Sequence, residues 1–407
     1  MKGLRIVGRK KKILFVDEEP QMLRALQRSF RKYREEWEPE FVENAAGAME
    51  VLSSKSFDIL ITETRFKGMG GLELLEKVRE RFPKIARIIL SGYTDRDVIL
   101  KSTGIAHQYL SKPCDDDDIK SAINKALMIR DLLKSDSLKS VVSNIDSLPS
   151  LPSLYMEIVS ELRSDDPSIQ KVGEIVARDL GMTAKILQLV NSSFFGLPQR
   201  VSTAETAVTL LGIDIVKAIA LTSGAFSKFE RVKFPGFSVD ALWNHGLKTG
   251  GFSKVIAQHE KLERKIADAG FMAGLLHDIG KVLIAANFPE IFSQIAETSK
   301  NRGMSFYKAE LVLMGATHAE VGAYLLGLWG LPENIVEAVA FHHNPQMSKD
   351  VSISPLTVIH AANAIEKGLE RTLPAEPSTD DLDLEYMEAL GLSQRIPAWA
   401  EACASHA

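Results

Sequence analysis

A carboxylate, Glu63, ends the apolar run Phe57-Asp58-Ile59-Leu60-Ile61-Thr62, and the glycine-rich loop Thr64-Arg65-Phe66-Lys67-Gly68-Met69-Gly70-Gly71 follows it. Other apolar runs end in groups of complementary chemistry. Asp17 and Glu18 follow Ile13-Leu14-Phe15-Val16, Ser91 follows Ile88-Ile89-Leu90, and Lys112-Pro113 follows Gln108-Tyr109-Leu110. Two or three carboxylates at one edge make a hard oxygen site suited to Mg²⁺. A lysine and a hydroxyl beside them suit the oxygens of a phosphoryl group in transfer. Each group alone is an ordinary loop residue; their recurrence at the ends of successive runs is what points to a pocket.

Imidazole is concentrated further along. Of nine histidines, six fall between residues 245 and 343: His245, His259, His277, His318, His342 and His343. At their centre is Leu275-Leu276-His277-Asp278-Ile279-Gly280-Lys281. Adjacent residues on a helix project about 100° apart, so His277 and Asp278 share a metal only if other helices bring further ligands. His245, His318, His342 and His343 are the candidates. Imidazole with carboxylate suits Zn, Fe, Mn or Ni rather than Ca. A metal held there would lower the pKa of a bound water for phosphoester hydrolysis, and Lys281 would hold a phosphate. The plainer alternative is that these are hydrogen-bonded core histidines. His259 is read as core or surface, and His342-His343 as a pair closing a helix, where imidazolium suits the negative end of the dipole.

Between Lys12 and Lys134 short apolar runs alternate with amphipathic segments, Met22–Trp37, Ala45–Leu52, Leu72–Phe82, Asp95–Ser102 and Asp115–Lys134. Runs buried on both faces and joined by helices predict a five-stranded parallel, flavodoxin-like sheet, whose ligand chemistry gathers outside the C-terminal strand ends. Asp115-Asp116-Asp117-Asp118 opens the last helix, at the positive end of its dipole. Ser135–Ser147 reads as a linker with a short helix, and the prolines of Leu148-Pro149-Ser150-Leu151-Pro152 break the chain. Beyond Leu154 strand patterns vanish. Spacings of three and four predict an all-helical domain with segments Ile175–Val190, Val208–Ala225, Ala241–Ala257, Ile266–Ala286, Ala319–Leu328 and Ile335–Ala340, then Leu356–Leu369 in the tail.

The bulk composition narrows the classes. The chain has 407 residues, enough for two or three domains, with 45% hydrophobic and 25% charged residues. A net charge of −4 and the lack of a basic recognition helix argue against nucleic acid. The two distant cysteines, Cys114 and Cys403, fit a reducing compartment. Arg9-Lys10-Lys11-Lys12 precedes an apolar run too short for a signal peptide, and no stretch approaches the roughly 20 apolar residues of a membrane span. A cytoplasmic location is expected.

The ordered groups of residues 11–130 resemble the receiver domain of two-component response regulators. By that resemblance Glu63 stands at the phosphoacceptor position, one methylene longer than the usual aspartate. Asp17 and Glu18 match the metal-binding acidic pair, so Mg²⁺ at Asp17, Glu18 and Glu63 is implied, completed by the Arg65 carbonyl. Ser91 matches the hydroxyl that follows the phosphoryl group, Lys112 the partner lysine, Pro113 the residue after a cis bond, and Tyr109 the aromatic that changes rotamer. Phe66, Lys67 and Gly70 depart from the usual methionine, proline and aspartate. The extra methylene displaces the attacking oxygen by about 1 Å, and misplacement of that size costs on the order of 10²-fold. The expectation is a receiver that is not phosphorylated and rests in an activated-like state. A pure scaffold and slow glutamyl phosphorylation are the alternatives.

Residues 147–343 resemble the HDOD domain, a relative of the HD-type metal phosphohydrolases. The resemblance rests on Asn191-Ser192-Ser193, Val201-Ser202-Thr203, Leu210-Leu211-Gly212, Leu242-Trp243-Asn244-His245, His277-Asp278-Ile279-Gly280-Lys281, His318 with Val321-Gly322, Leu331-Pro332 and His342-His343. HDOD domains generally lack the full metal shell and act through protein contacts. Here no Gly-Tyr-Pro loop follows His342-His343, and Asn363 aligns with the late aspartate ligand of the enzymes. The implied organisation is a receiver (11–130), a helical linker (131–146), an HDOD domain (147–343) and a helical tail (344–407). The implied function is phosphorelay signalling through protein partners of the HDOD half. A sensor kinase and a second copy of the chain are further partner candidates; nucleic acid and membrane are not. The rival is a metal-dependent phosphodiesterase using His277, Asp278 and Lys281.

Overall fold

A computed structural model describes residues 10–64, 66, 69–82, 85–92, 106, 108–112, 114–132, 135–143, 145, 152–162, 164, 166–192, 194, 199–227, 238–329, 331–348, 352–371 and 381–406. The expected helix Asp95–Ser102, Arg65, Lys67, Pro113, Ser193 and most of the proline-rich break lie outside the described residues. The chain forms two compact units, Met1–Lys134 with Gly330–Glu333, and Ser135–Trp329 with Asn334–Ala407.

The first unit is built on five parallel strands: β1 (Lys11–Val16), β2 (Trp37–Val42), β3 (Ile59–Thr62), β4 (Ala86–Gly92) and β5 (Gln108–Lys112), in the order β2-β1-β3-β4-β5. Ile13, Leu14, Ile59, Leu60, Ile88 and Ile89 are fully buried, as a sheet covered by helices on both faces requires. In register, Val16 pairs with Thr62 and Ile61 with Ile88, so the residues after β1, β3 and β4 emerge along one rim.

The segment expected as one helix, Met22–Trp37, is shorter. It spans Pro20–Ser29, tightens into the 3₁₀ turn Phe30–Tyr33, and Trp37 opens β2. Phe30 packs on Phe15 at 4.9 Å and on Trp37 at 5.3 Å, so the aromatic cluster turns the chain back onto the sheet. Pro39 is tolerated in β2 because β2 is an edge strand. The acidic run caps the helix Asp116–Leu132: the Asp118 amide donates to Asp115 Oδ1 at 2.8 Å, and the Asp115 amide to Asp118 Oδ2 at 3.4 Å.

The second unit is helical throughout its described residues. Three segments expected as continuous helices are each two. Ile169–Ala177 and Leu180–Val190 part at Asp179, whose carboxylate accepts from the Met182 amide. Ala204–Leu211 and Ile213–Ser227 part at Gly212, with φ +87°. Arg264–Leu276 and Ile279–Asn287 part at His277 and Asp278. Apolar spacing continues across all three breaks, which is why periodicity alone joined them. Taken together the last two pieces form one stretch, Arg264–Asn287, that by length and composition alone could cross a membrane, and nearly all of it is buried inside the protein.

The C-terminal residues belong to this core. Val358, Ile365, Met387 and Trp399 are buried with Phe252 and Ile256 in one cluster. The helix Pro355–Arg371 thereby packs against Val239–His259 and brings its polar residues to the histidines.

Two close backbone approaches hold those helices. A Cβ on Gly274 would lie 2.5 Å from the Gly250 Cα, and one on Gly280 would lie 1.9 Å from the His318 carbonyl oxygen. Overpacking of this kind costs about 1–3 kcal/mol. Gly280→Ala is therefore expected to lower the helical unit's thermal midpoint by several degrees, measured by scanning calorimetry. An unchanged midpoint would show that the two helices do not need this contact.

Candidate functional sites

The rim of the sheet gathers Asp17, Glu63, Ser91 and Lys112. The Lys112 ammonium lies 2.6 Å from both Asp17 Oδ2 and Glu63 Oε2. The second oxygen of each acid is also engaged: Asp17 Oδ1 accepts from the Glu19 amide at 2.9 Å, and Glu63 Oε1 from the Thr64 amide at 2.7 Å. The Thr64 hydroxyl lies 3.0 Å from Glu63 Oε1 and 2.6 Å from the Ser91 hydroxyl. Glu18 is exposed, so it borders the pocket rather than lining it. Tyr109 lies in β5, with its side chain outside the described set.

Burial raises the Glu63 pKa, but hydrogen bonds from Lys112, Ser91 and the Thr64 amide outweigh it and hold the carboxyl below its ordinary range. Burial likewise opposes the Lys112 charge, and the bonds to Asp17 and Glu63 raise its pKa on balance. Thr64 was missed in the sequence because a threonine after a strand is unremarkable; its role depends on the rim that brings Ser91 beside it.

The second site is centred on a local turn within the helical stretch Arg264–Asn287. Leu276 ends one helix, Asp278 precedes the next, and His277 and Asp278 occupy the turn. His277 keeps helical dihedrals (φ −58°, ψ −31°) and Asp278 departs from them (φ −99°, ψ 7°), so the break is local, and other helices bring the further ligands. Their side chains face one centre, with His277 Nε2 3.6 Å from Asp278 Oδ1. His245 comes from Val239–His259, with Nε2 3.1 Å from His277 Nε2 and 3.7 Å from Asp278 Oδ2. His318, first residue of its helix, places Nε2 3.1 Å from Asp278 Oδ1. The His342 ring is 4.9 Å from that of His277 and 4.1 Å from that of His343. Lys281 donates to Asp278 Oδ2 at 2.6 Å.

All six expected residues and Lys281 therefore converge, in two ligand groups: His245, His277 and Asp278, and His318, His342 and His343. His259 is apart from them, half-exposed beside Glu260. His360 is structural, donating from Nδ1 to the His342 carbonyl and accepting from the Asp383 amide, each at 2.8 Å. The sequence missed Glu310 and Glu366. Glu310 Oε2 is 2.6 Å from His318 Nδ1, and Glu366 Oε2 is 2.8 Å from His245 Nδ1. Glu366 stands one turn beyond Asn363 on the helix Pro355–Arg371. Neither glutamate sits in a motif, so only their burial marks them.

The centre is dry and electrostatically tense. His277, Asp278, His318 and His342 are each at most 3% exposed. Burial lowers the His277 pKa to about 3, with the Asp278 charge opposing. Burial also holds His342 and His343 well below the ordinary imidazole range. Asp278 moves the other way: burial alone would raise its carboxyl, but His277, Lys281 and His318 keep it well below the usual range. Asp278 Oδ1, His318 Nε2 and His342 Nε2 have no hydrogen-bond partner despite full burial. Buried polar atoms without partners are costly. Here they face one another, the pattern expected of ligands arranged for a cation.

Comparison with known proteins agrees with both halves. Residues 13–124 match the response regulator receiver domain, and residues 148–345 match the HDOD domain. An uncharacterized protein of Treponema pallidum is 27% identical over 241 residues, 58% of this chain and 45% of its own length. The hydrogenase transcriptional regulatory protein HoxA of Cupriavidus necator is 33% identical over 117 residues, 28% of this chain and 24% of its own. The chain thus spans less than half the length of these curated relatives. A crystal structure of an HDOD domain protein with unknown function from Geobacter sulfurreducens superposes with TM-score 0.51 at 25% identity, over 66% of this chain and 92% of that one. With both halves matched, the chain is a signal-transduction protein that joins a response regulator receiver domain to an HDOD domain.

Proposed function

We propose that Glu63 occupies the phosphoacceptor position of this receiver, and that the receiver is not switched by phosphorylation. One observation carries the reading: both oxygens of Glu63 are already engaged, Oε2 by Lys112 at 2.6 Å and Oε1 by the Thr64 amide at 2.7 Å. A carboxylate so held is restrained, and turning an oxygen in line with phosphorus competes with these bonds. Its charge reaches the Ser91 hydroxyl through Thr64, which resembles the contact a phosphoryl group would make. Lys112 also compensates half of the formal charge of Asp17 and Glu63. A magnesium ion at Asp17, Glu18 and Glu63 would have to share those acids with the ammonium.

The HDOD half acts mainly through protein contacts in the cytoplasm, under control of the receiver. Asn363 supports this reading, since a neutral amide is a poor substitute for an acidic ligand of a two-metal hydrolase. Control of this kind requires a partner, such as a sensor kinase or a second copy of the chain, that binds one arrangement of the protein better than another.

A second reading has its own observation. The unpartnered Asp278 Oδ1, His318 Nε2 and His342 Nε2 fit a transition metal. His245, His277, Asp278, His318, His342 and His343 would hold it. When bound, such a metal supplies an acidified water for phosphoester hydrolysis. Lys281, already on Asp278, would bind a substrate phosphate.

Incubation with a small phosphodonor is expected to leave the wild type unlabelled and to label Glu63→Asp. Normal labelling of the wild type would refute the unphosphorylated reading. Because the Glu63 pKa is depressed, its contribution to stability is present above the ordinary value of 4.5 and lost as pH falls through the folded-state value. Glu63→Gln should therefore lower the receiver's melting temperature at pH 7, with a difference from wild type that shrinks on acidification. On the second reading, wild type purified without chelator retains a transition metal by elemental analysis and His277→Ala does not. A metal-free wild type that takes none up on reconstitution would dismiss that reading.

A further inference from the structure

We infer that Glu310 and Glu366 are positioning residues of the histidine centre: each fixes one imidazole in the tautomer that turns its Nε2 lone pair inward, and thereby sets the centre's affinity for a divalent transition metal. The inference rests on the metal reading above and extends it to two acids outside the candidate ligand set.

Four histidines are held in the same way. His277 Nδ1 is 2.7 Å from the Gly274 carbonyl and His342 Nδ1 is 2.8 Å from the Val339 carbonyl. A carbonyl oxygen only accepts, so both Nδ1 atoms carry the proton. His245 and His318 have no backbone carbonyl in that place. Glu366 and Glu310 replace it, at 2.8 Å and 2.6 Å. Glu310 Oε2 also accepts from the His318 amide at 3.0 Å, which ties the acid to the start of that helix. With every Nδ1 spent on an outer acceptor, the Nε2 atoms are left for the centre.

The inner contacts then call for a further proton or a cation. His245 Nε2 and His277 Nε2 stand 3.1 Å apart, and His277 has no proton to offer there. A proton on His245 or a metal between them reconciles the two. Formal charge points to the metal. Asp278, Glu310 and Glu366 are at most 3% exposed, against one ammonium, Lys281, at bonding distance. Lys248 lies 3.8 Å from Glu366 but is half-exposed. A divalent cation brings three carboxylates and Lys281 to formal neutrality, which a dry interior favours strongly. Carboxylates that bond the outer nitrogen of a ligating histidine typically contribute 10–100-fold to metal affinity.

The test is the affinity of the full chain for Co²⁺ and Zn²⁺, by chelator competition and by the visible Co²⁺ spectrum, for wild type, Glu310→Gln, Glu366→Gln and the exposed control His259→Gln. Each Glu→Gln variant is expected to bind about 10–100-fold more weakly, with the control unchanged and the far-UV circular dichroism of all four alike. If wild type binds and the Gln variants match it, the positioning role is wrong while the metal reading stands. If wild type takes up neither ion, the metal reading falls and this inference with it. Should the variants fail to fold, ¹⁵N-resolved imidazole spectra of the metal-free wild type decide: protonated Nδ1 and bare Nε2 at His318 are expected, and the opposite tautomer overturns the proposal.

Discussion

A charge taken out of water must meet an opposite charge or a dipole aimed at it, and that constraint shapes both sites. On the sheet rim it is met within the protein. Lys112 lies between Asp17 and Glu63, and backbone amides cover the remaining oxygens. Among the helices it is met on the outside and, at Asp278 Oδ2, by Lys281. The outer nitrogens of His245, His277, His318 and His342 all have acceptors, while Asp278 Oδ1 and two inner nitrogens have none. The first site pairs its charges internally, and the second leaves inward-facing polar atoms without partners.

The rest of each unit serves these arrangements. Parallel strands in register bring Asp17, Glu63 and Ser91 to the same edge, though β1, β3 and β4 are far apart in sequence. In the helical unit several helices do the equivalent work. A local turn between Leu276 and Ile279 presents His277 and Asp278, and neighbouring helices bring His245, His318 and His342 to them. Gly274 and Gly280 allow the backbones around that turn to approach within contact distance. A larger side chain at either place would separate the helices that carry the ligands.

Reach decides what Glu63 touches. Its side chain places one oxygen against Lys112 and the other against the Thr64 amide and hydroxyl, and the Thr64 hydroxyl in turn meets Ser91.

The sequence by itself determined the elements and most of the chemistry. Apolar runs ending in Asp17, Glu63, Ser91 and Lys112 showed the sheet and its rim, because strand periodicity and strand-end chemistry are local properties. The histidines and Asp278 were legible for the same reason, as reactive residue types at an unusual density. The tertiary structure alone decided where the long helical patterns break, since apolar spacing runs unbroken through Asp179, Gly212 and the His277–Asp278 turn. It alone showed that the C-terminal helix enters the core, and that Thr64, Glu310 and Glu366 are partners of the site residues. Those roles arise from contacts between residues as many as 121 positions apart. No local pattern records such a contact, because it comes into being only when packing removes the water that would otherwise have solvated each group.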